Sequence, residues 1–176
     1  MIQGVLFDMD GVLIDTEPIW ERVRSEFAVR HGGAWTAELQ TRMMGARTED
    51  WSAALSEITQ GKVDAASAAD EVIGELAAAY RERLPLIDGA RECVRSLRSS
   101  CRLGLVSGSP LQLITLVLEI AGLDDCFAEA MAADEVARGK PEPDPYLELA
   151  RRMGLDPGAC AAVEDSANGI LSLIHI

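Results

Sequence analysis

The chain has 176 residues, of which 48% are hydrophobic and 26% charged, and its formal net charge is −13. That length allows one domain with a substantial insertion, and the composition is ordinary for a globular protein. The acidic balance argues against a nucleic-acid partner, because a basic patch could not easily outweigh it. No apolar run approaches the ~20 residues of a membrane-spanning helix, so we expect no membrane partner either.

The four cysteines, at positions 93, 101, 126 and 160, form no CxxC pair. The sequence therefore indicates neither a zinc site nor a redox pair. Buried, reduced thiols in a cytosolic protein are the simplest interpretation. No charged segment precedes a long apolar stretch, so a signal peptide is not indicated. We expect a cytoplasmic protein that acts as a monomer.

Alternating strand and helix patterns predict the fold class. The predicted strands are Ile2–Phe7, Arg102–Val106, Ala128–Ala132 and Ala159–Val163. The predicted helices around the later strands are Ala90–Ser99, Leu111–Ala121 and Pro145–Met153. Such alternation is typical of parallel βαβ units, so we expect an α/β fold with a Rossmann-like parallel sheet.

The gap between the first two predicted strands, roughly 95 residues, is far longer than a single crossover needs. Apolar residues recur there at helical spacing, as at Val72, Leu76 and Tyr80. We therefore expect an all-helical domain at residues 16–84, inserted into a core of residues 1–15 and 85–176. The hinges between them would be Leu13–Glu17 and Leu84–Asp88.

Polar residues follow each predicted strand. They are Asp8 and Asp10 after the first, Ser107 after the second, Lys140 after the third and a short loop, and Glu164 and Asp165 after the fourth. Open parallel sheets bind ligands outside the carboxyl ends of their strands. Two carboxylates about 4 Å apart repel by roughly 4 kcal/mol at an effective dielectric of 20. A divalent cation would offset that repulsion.

The acidic residues suit Mg²⁺, which prefers hard oxygen ligands and keeps several waters. Asp8 and Asp165 can supply carboxylates, and Asp10 can supply its carbonyl oxygen. Glu164 can act through a metal-bound water. Taken alone, Glu164 and Asp165 could also belong to a charged loop before a helix.

The remaining polar residues suit a phosphate group. Lys140 can neutralise the phosphate and a charged nucleophile. The Ser107 hydroxyl and the nearby backbone at Gly108 and Ser109 can hold phosphoryl oxygens. Taken alone, Ser107 could instead cap the helix that begins near Pro110, and Lys140 could be a solvated surface lysine.

Together, and in this order, these residues resemble the four motifs of the haloacid dehalogenase-like phosphatase superfamily. The stretches D-x-D-G-V-L at Asp8–Leu13 and G-K-P-x-P-D-x-Y at Gly139–Tyr146 carry most of the likeness, which covers residues 1–170. The resemblance implies that Asp8 is the nucleophile, which becomes aspartyl-phosphate. It also implies that Asp10 is the general acid and base.

Two further stretches, Asp15–Trp20 and Ser107–Leu111, are similar to bacterial sugar-phosphate phosphatases with a helical cap, such as hexitol and 2-deoxyglucose-6-phosphate phosphatases. The resemblance implies that the insert is a cap that closes over the site and selects the substrate. We expect Glu17 and Arg47 to contact the substrate. Arg47 could also be an ordinary residue at the start of a surface helix.

The sequence therefore predicts a Mg²⁺-dependent phosphatase whose partner is a small phosphorylated metabolite, a sugar or polyol phosphate. A sugar phosphomutase like β-phosphoglucomutase is the alternative, since such mutases resemble this chain in fold and motifs. Mutase-like sequences usually carry Thr-Ala and a nearby His where this chain has Thr16-Glu17 and Trp20. A non-catalytic binding protein is a third possibility, against which the intact acid pair and Lys140 argue.

The family likeness stops near residue 170. Related chains continue with a glycine turn and a further strand, whereas here Leu171–Ile176 follow. We expect a core truncated at its C-terminus and residues 171–176 that are not native sequence. We also expect the strand at Ala159–Val163 to lie at a sheet edge.

Overall fold

The computed structural model describes residues 2–174. The strands are β1 (Gly4–Phe7), β2 (Arg102–Ser107), β3 (Glu129–Ala132) and β4 (Cys160–Val163). The helices are α1 (Glu17–Arg30), α2 (Ala37–Met43), α3 (Thr48–Ile58), α4 (Ala65–Glu82), α5 (Ala90–Arg98), α6 (Leu111–Ala121), α7 (Asp144–Arg152) and α8 (Ala167–Ile174). Of the residues 171–176, which we expect not to be native sequence, residues 171–174 belong to α8. The last two lie outside the described residues.

The four strands form one parallel sheet in the order β3-β2-β1-β4. Phe7 at the end of β1 is paired with Leu105 on one side and with Val163 on the other. The strand ends therefore meet at one edge of the sheet. The predicted α/β fold with a parallel sheet is confirmed, and the strand limits differ from prediction by at most two residues.

Side chains alternate between the two faces of the sheet, as a pleated strand requires. Phe7 and Leu105 belong to the larger hydrophobic cluster, which continues into the helices between β1 and β2. Leu6 and Val106 point to the other face, where Tyr146 of α7 is among the residues that cover them. No helix among residues 2–174 is both long and apolar enough to cross a membrane.

Helices α1–α4 all lie between β1 and β2, and we call them the helical insert. Pro18 occupies the first turn of α1, where its missing N–H costs nothing. Asp64 caps α4 by accepting a hydrogen bond from the Ser67 N–H. Trp51 and Tyr80 are fully buried between the helices.

The two segments that join the helical insert to the rest of the chain are paired with each other. Ile14 and Leu86 form an antiparallel bridge. The Asp15 N–H donates to the Pro85 carbonyl at 2.9 Å, and the Ile87 N–H donates to the Leu13 carbonyl at 2.9 Å. The expected hinge segments therefore lie side by side.

Candidate active site

A cavity of about 120 Å³ lies between the carboxyl ends of the strands and the helical insert. It is lined by Asp8, Asp10, Gly11, Asp15, Glu17, Trp20, Arg24, Met44, Gly45, Ala46, Ser107, Gly108, Ser109, Lys140, Asp165 and Ser166. Within residues 2–174 this lining carries five carboxylates and two cationic side chains, Arg24 and Lys140. The side chains alone therefore give the cavity a net negative charge.

Asp8 lies just past the end of β1 and is only 6% exposed. Its N–H donates to the Val163 carbonyl at 3.0 Å, which extends the pairing with β4 by one residue. Burial raises the pKa of the Asp8 carboxyl well above its ordinary value, and the charge of Lys140, 3.2 Å from Oδ1, opposes that rise. A cation beside Asp8 would lower this pKa further, since positive charge favours the ionised form.

Lys140 and Glu164 form a buried ion pair beside Asp8. The Lys140 side chain is 2% exposed and its Nζ lies 2.6 Å from Glu164 Oε2. The interpretation of Lys140 as a surface lysine is therefore wrong. Burial alone would lower the pKa of Lys140, but the Asp8 and Glu164 charges outweigh burial and raise it.

Three other groups hold the Glu164 carboxylate. The Tyr146 hydroxyl donates to Oε2 at 2.5 Å, while the Ser166 N–H and hydroxyl donate to Oε1 at 3.1 and 2.8 Å. Burial would raise the pKa of Glu164, but Lys140 and these hydrogen bonds lower it to about 2. Glu164 is therefore ionised at neutral pH.

Asp10 is held by three hydroxyl groups, one from a residue nearby in sequence and two from the segment at the end of β2. Thr16 donates to Oδ1 at 2.5 Å, and Ser107 and Ser109 each donate to Oδ2 at 2.8 Å. The Ser107 oxygen also accepts the Ser109 N–H at 3.0 Å. The helix after Pro110 has no side-chain cap, so the alternative role of Ser107 as a helix cap does not hold.

Three of the predicted metal ligands converge. Asp8, Glu164 and Asp165 each offer an oxygen, and these atoms lie within 4.8 Å of one another. Asp165 occupies space that only glycine leaves free at position 11, where φ is +77° and a Cβ would lie 1.9 Å from Asp165 Oδ2. Burial and the Glu164 charge raise the pKa of Asp165. Three crowded carboxylates beside Lys140 suit a hard divalent cation.

The predicted substrate contacts fall into two groups. Glu17, Gly108 and Ser109 line the cavity, but Arg47 does not. Arg47 lies at the start of α3, where NH1 is 3.4 Å from the Ala137 carbonyl oxygen and Nε is 3.5 Å from Asp50. A role for Arg47 in substrate binding stays a prediction.

The sequence-based prediction gave no role to Thr16, Arg24 or Tyr146, which contact or line the site. Tyr146 ends the stretch that begins at Gly139, so its place in the motif was a usable signal. Trp20 and Arg24 are four residues apart on one face of α1, and Thr16, the residue just before the helix, continues the same spacing. That spacing could have linked them to the cavity.

Comparisons with known proteins agree with this arrangement. The model of the haloacid dehalogenase-like hydrolase family matches residues 2–176. Hexitol phosphatase B of Escherichia coli (strain K12) is 32% identical over 181 residues, which cover 97% of this chain and 78% of that protein. Fructose-1-phosphate phosphatase YqaB of the same organism is 31% identical over 170 residues, or 95% of this chain and 88% of that protein.

Solved structures share the fold. A putative beta-phosphoglucomutase from Thermotoga maritima superposes with a TM-score of 0.74 at 28% identity, over 99% of this chain and 81% of that one. The beta-phosphoglucomutase of Clostridium difficile gives a TM-score of 0.87 at 22% identity, over the same shares. At 22% identity, the similarity to the Clostridium difficile protein shows a shared fold only.

Proposed function

Because the chain belongs to the haloacid dehalogenase-like hydrolase family, we propose that it is a Mg²⁺-dependent phosphatase of a small sugar or polyol phosphate, acting through an aspartyl-phosphate. The observation that carries the proposal is the buried Asp8 carboxylate, 3.2 Å from Lys140, in an acidic cavity at the strand ends. The similarity to two sugar-phosphate phosphatases, each above 30% identity, supports the substrate class.

Asp8 and Asp165 would hold the Mg²⁺ directly, with the Asp10 carbonyl as a third ligand and Glu164 acting through water. Bound there, the ion would supply positive charge to the phosphoryl oxygens during transfer. The Glu164 oxygens already accept hydrogen bonds from Lys140, Tyr146 and Ser166, which supports an indirect role for Glu164.

The reaction would proceed in two steps on Asp8. A carboxylate oxygen of Asp8 attacks phosphorus, the ester bond breaks, and the leaving oxygen takes a proton from Asp10. Water then attacks the phosphorus of the aspartyl-phosphate and gives a proton to Asp10, which releases phosphate and restores the Asp8 carboxylate. The hydroxyls that now hold Asp10 fix its position beside the reacting atoms.

Lys140 and the backbone after β2 would bind the transferred group. Lys140 neutralises charge on Asp8 and on the phosphoryl oxygens. Ser107, Gly108 and Ser109 line the same cavity. The Gly108 N–H would donate to those oxygens, and the Ser107 and Ser109 hydroxyls would do so by turning away from Asp10. Such fixed donors stabilise the charge that develops during transfer.

We propose that residues 16–84 act as a cap domain on a catalytic core of residues 1–15 and 85–176. A Cβ on Gly108 would lie 2.9 Å from the Gly45 carbonyl oxygen, so the insert approaches the core closely at the cavity. Closure of the cap would exclude water from the ester. Glu17 and Arg47 would contact the leaving group, the first from the cavity wall and the second after a movement of α3.

A phosphomutase is the second candidate, because a putative beta-phosphoglucomutase shares 28% identity and the fold. A mutase would convert a sugar phosphate to its isomer in the presence of a bisphosphate activator and would release little phosphate. We also propose a cytoplasmic location, on the ground that all four cysteines are free thiols, and a monomeric state.

Phosphate release from p-nitrophenyl phosphate with Mg²⁺ tests the proposal. Asp8→Asn removes the nucleophile and should abolish turnover, while it leaves the fold intact because it removes one of several crowded carboxylates. Asp124→Asn, an exposed acid away from the cavity, is the matched control and should retain full activity. Activity of the Asp8 variant above a tenth of wild type would contradict the assignment of the nucleophile.

A further inference from the structure

The cap side of the cavity contains a buried cation for which the proposed reaction has no use. Arg24 of α1 lines the cavity and is 4% exposed. Its guanidinium carbon lies 4.3 Å from the ring centroid of Trp20, 5.3 Å from that of Trp51 and 5.5 Å from that of Trp35. These rings hold the charge by cation–π contact.

The three rings leave the donors of Arg24 unused. In the part of the chain that the structure describes, Nε is buried without a hydrogen-bond partner, and Arg24 forms no salt bridge. A buried charged group without hydrogen bonds is costly. The terminal nitrogens of Arg24 are not enclosed in this way and also donate no hydrogen bond among the described residues, so they are the donors that a ligand in the cavity would meet.

Glu17 offers the complementary group on the same wall. Glu17, Trp20 and Arg24 lie at positions i, i+3 and i+7 of α1, so they share one helix face. The Gln40 amide holds one oxygen of Glu17, and Gln40 in turn accepts the Trp35 indole N–H at 2.6 Å. Among residues 2–174 the other oxygen of Glu17 accepts no side-chain or backbone hydrogen bond, so an acceptor is available.

The charge of the cavity decides which ligand fits this pair. Five carboxylates against two cations leave a net charge of −3 on the lining side chains. The proposed Mg²⁺ would reduce this charge to −1, and a phosphoryl group makes it more negative again. A second anion beside Glu17 would therefore be repelled. A hydroxyl group is both donor and acceptor, so it can donate to Glu17 and accept from Arg24.

We propose that Arg24 and Glu17 recognise hydroxyl groups on the leaving part of the substrate. They would thereby select polyhydroxylated phosphate esters over esters whose leaving group carries no hydroxyl. The edge of Trp20 would form an apolar wall beside them. This inference rests on the proposed phosphatase function and assigns its specificity to the first two turns of α1.

The test compares kcat/KM for a hexitol 6-phosphate with kcat/KM for p-nitrophenyl phosphate, which carries no hydroxyl on its leaving group. In Arg24→Met and Glu17→Gln the ratio of the two should fall by roughly 10- to 100-fold, as expected for loss of a charge-assisted hydrogen bond. Arg24→Lys keeps the charge among the rings but loses the planar fork, and its ratio should fall too. Arg22→Met, on an exposed position of α1, is the control and should leave the ratio unchanged.

The outcomes separate the two proposals. An equal loss on both substrates in a folded Arg24→Lys protein would make Arg24 a structural cation and overturn the inference. A larger loss on a bisphosphate or phosphocarboxylate than on the hexitol ester would overturn it in favour of anion recognition. If the wild type hydrolyses the aryl ester but no hydroxylated ester, the inference fails and the phosphatase stands. If it hydrolyses neither, both fail.

Discussion

Gly169 in α8 lies against the buried carboxylate of Glu164, and this contact reverses the usual effect of a glycine-to-alanine change. Alanine in a helix is ordinarily favoured over glycine by about 1 kcal/mol. At position 169, however, a Cβ would lie 1.9 Å from the Glu164 carboxyl group. Ordinary contacts begin near 3.4 Å, so the carboxylate would have to retreat by about 1.5 Å.

Glu164 cannot make that movement without losing partners. Lys140 and Tyr146 donate to one oxygen at 2.6 and 2.5 Å, and Ser166 donates to the other at 2.8 and 3.1 Å. Hydrogen bonds to charged groups contribute about 1.5–3 kcal/mol each. Loss of one or two of them, set against the gain in helix propensity, predicts a net destabilisation of about 2 kcal/mol for Gly169→Ala. For a chain of this size that corresponds to a fall in Tm of roughly 4–8 °C.

Thermal unfolding of Gly169→Ala beside Gly74→Ala tests this argument. Gly74 lies inside α4, is exposed, and has nothing within 4 Å of the position of a Cβ. Gly74→Ala should therefore raise the free energy of unfolding by about 0.5–1 kcal/mol. A Gly169→Ala protein as stable as wild type, or more stable, would show that Glu164 moves freely and would refute the reasoning.

Three further results are expected. A chelator should abolish activity and Mg²⁺ should restore it. Ca²⁺ should be a poor substitute, because its bonds to oxygen are longer than the roughly 2.0–2.1 Å typical of Mg²⁺. Full activity in excess chelator would exclude a metal-dependent mechanism. Thr16→Val removes a hydroxyl that holds Asp10 and should lower kcat/KM roughly tenfold. Unchanged kinetics would show that this hydrogen bond does not contribute to catalysis. Arg151 and Arg152 lower the pKa of Glu148 to about 2 from 4.5. The stability that Glu148 contributes is thus complete above pH 4.5 and lost as pH falls towards 2, so urea unfolding should show Glu148→Gln losing stability at neutral pH but not at pH 2.

Local patterns in the sequence were sufficient to predict most of the fold. Strands β1 and β2 are short apolar runs buried on both faces, and such runs differ clearly from the helices between them. The prediction of β1 began at Ile2, two residues too early, because Ile2 is apolar yet 53% exposed. Pairing with β2 and β4, which a single segment cannot reveal, decides where the strand begins.

The site was predictable only where its residues stand at strand ends or in a recognisable motif. Asp8 and Glu164 directly follow β1 and β4, and parallel strands bring their carboxyl ends together. Lys140 lies eight residues past β3, and the motif around it was what indicated its role. The three hydroxyls on Asp10 were not foreseen, since Thr16 lies six residues from Asp10 while Ser109 lies 99 residues away in sequence. Likewise the environment of Arg24 depends on how tryptophans of separate segments pack, which is a property of tertiary structure.

The bridge between Ile14 and Leu86 has a consequence for how such a protein can diversify. Hydrogen bonds between the two linking segments hold the ends of the helical insert together. The insert is therefore a loop whose two ends meet at one place on the core. The entropy of closing a loop rises slowly with length, by about 0.6 kcal/mol for each doubling. Segments of other lengths and sequences can therefore be grafted between these two points while the sheet stays intact. Selection of a new substrate and preservation of the old chemistry become separate evolutionary problems.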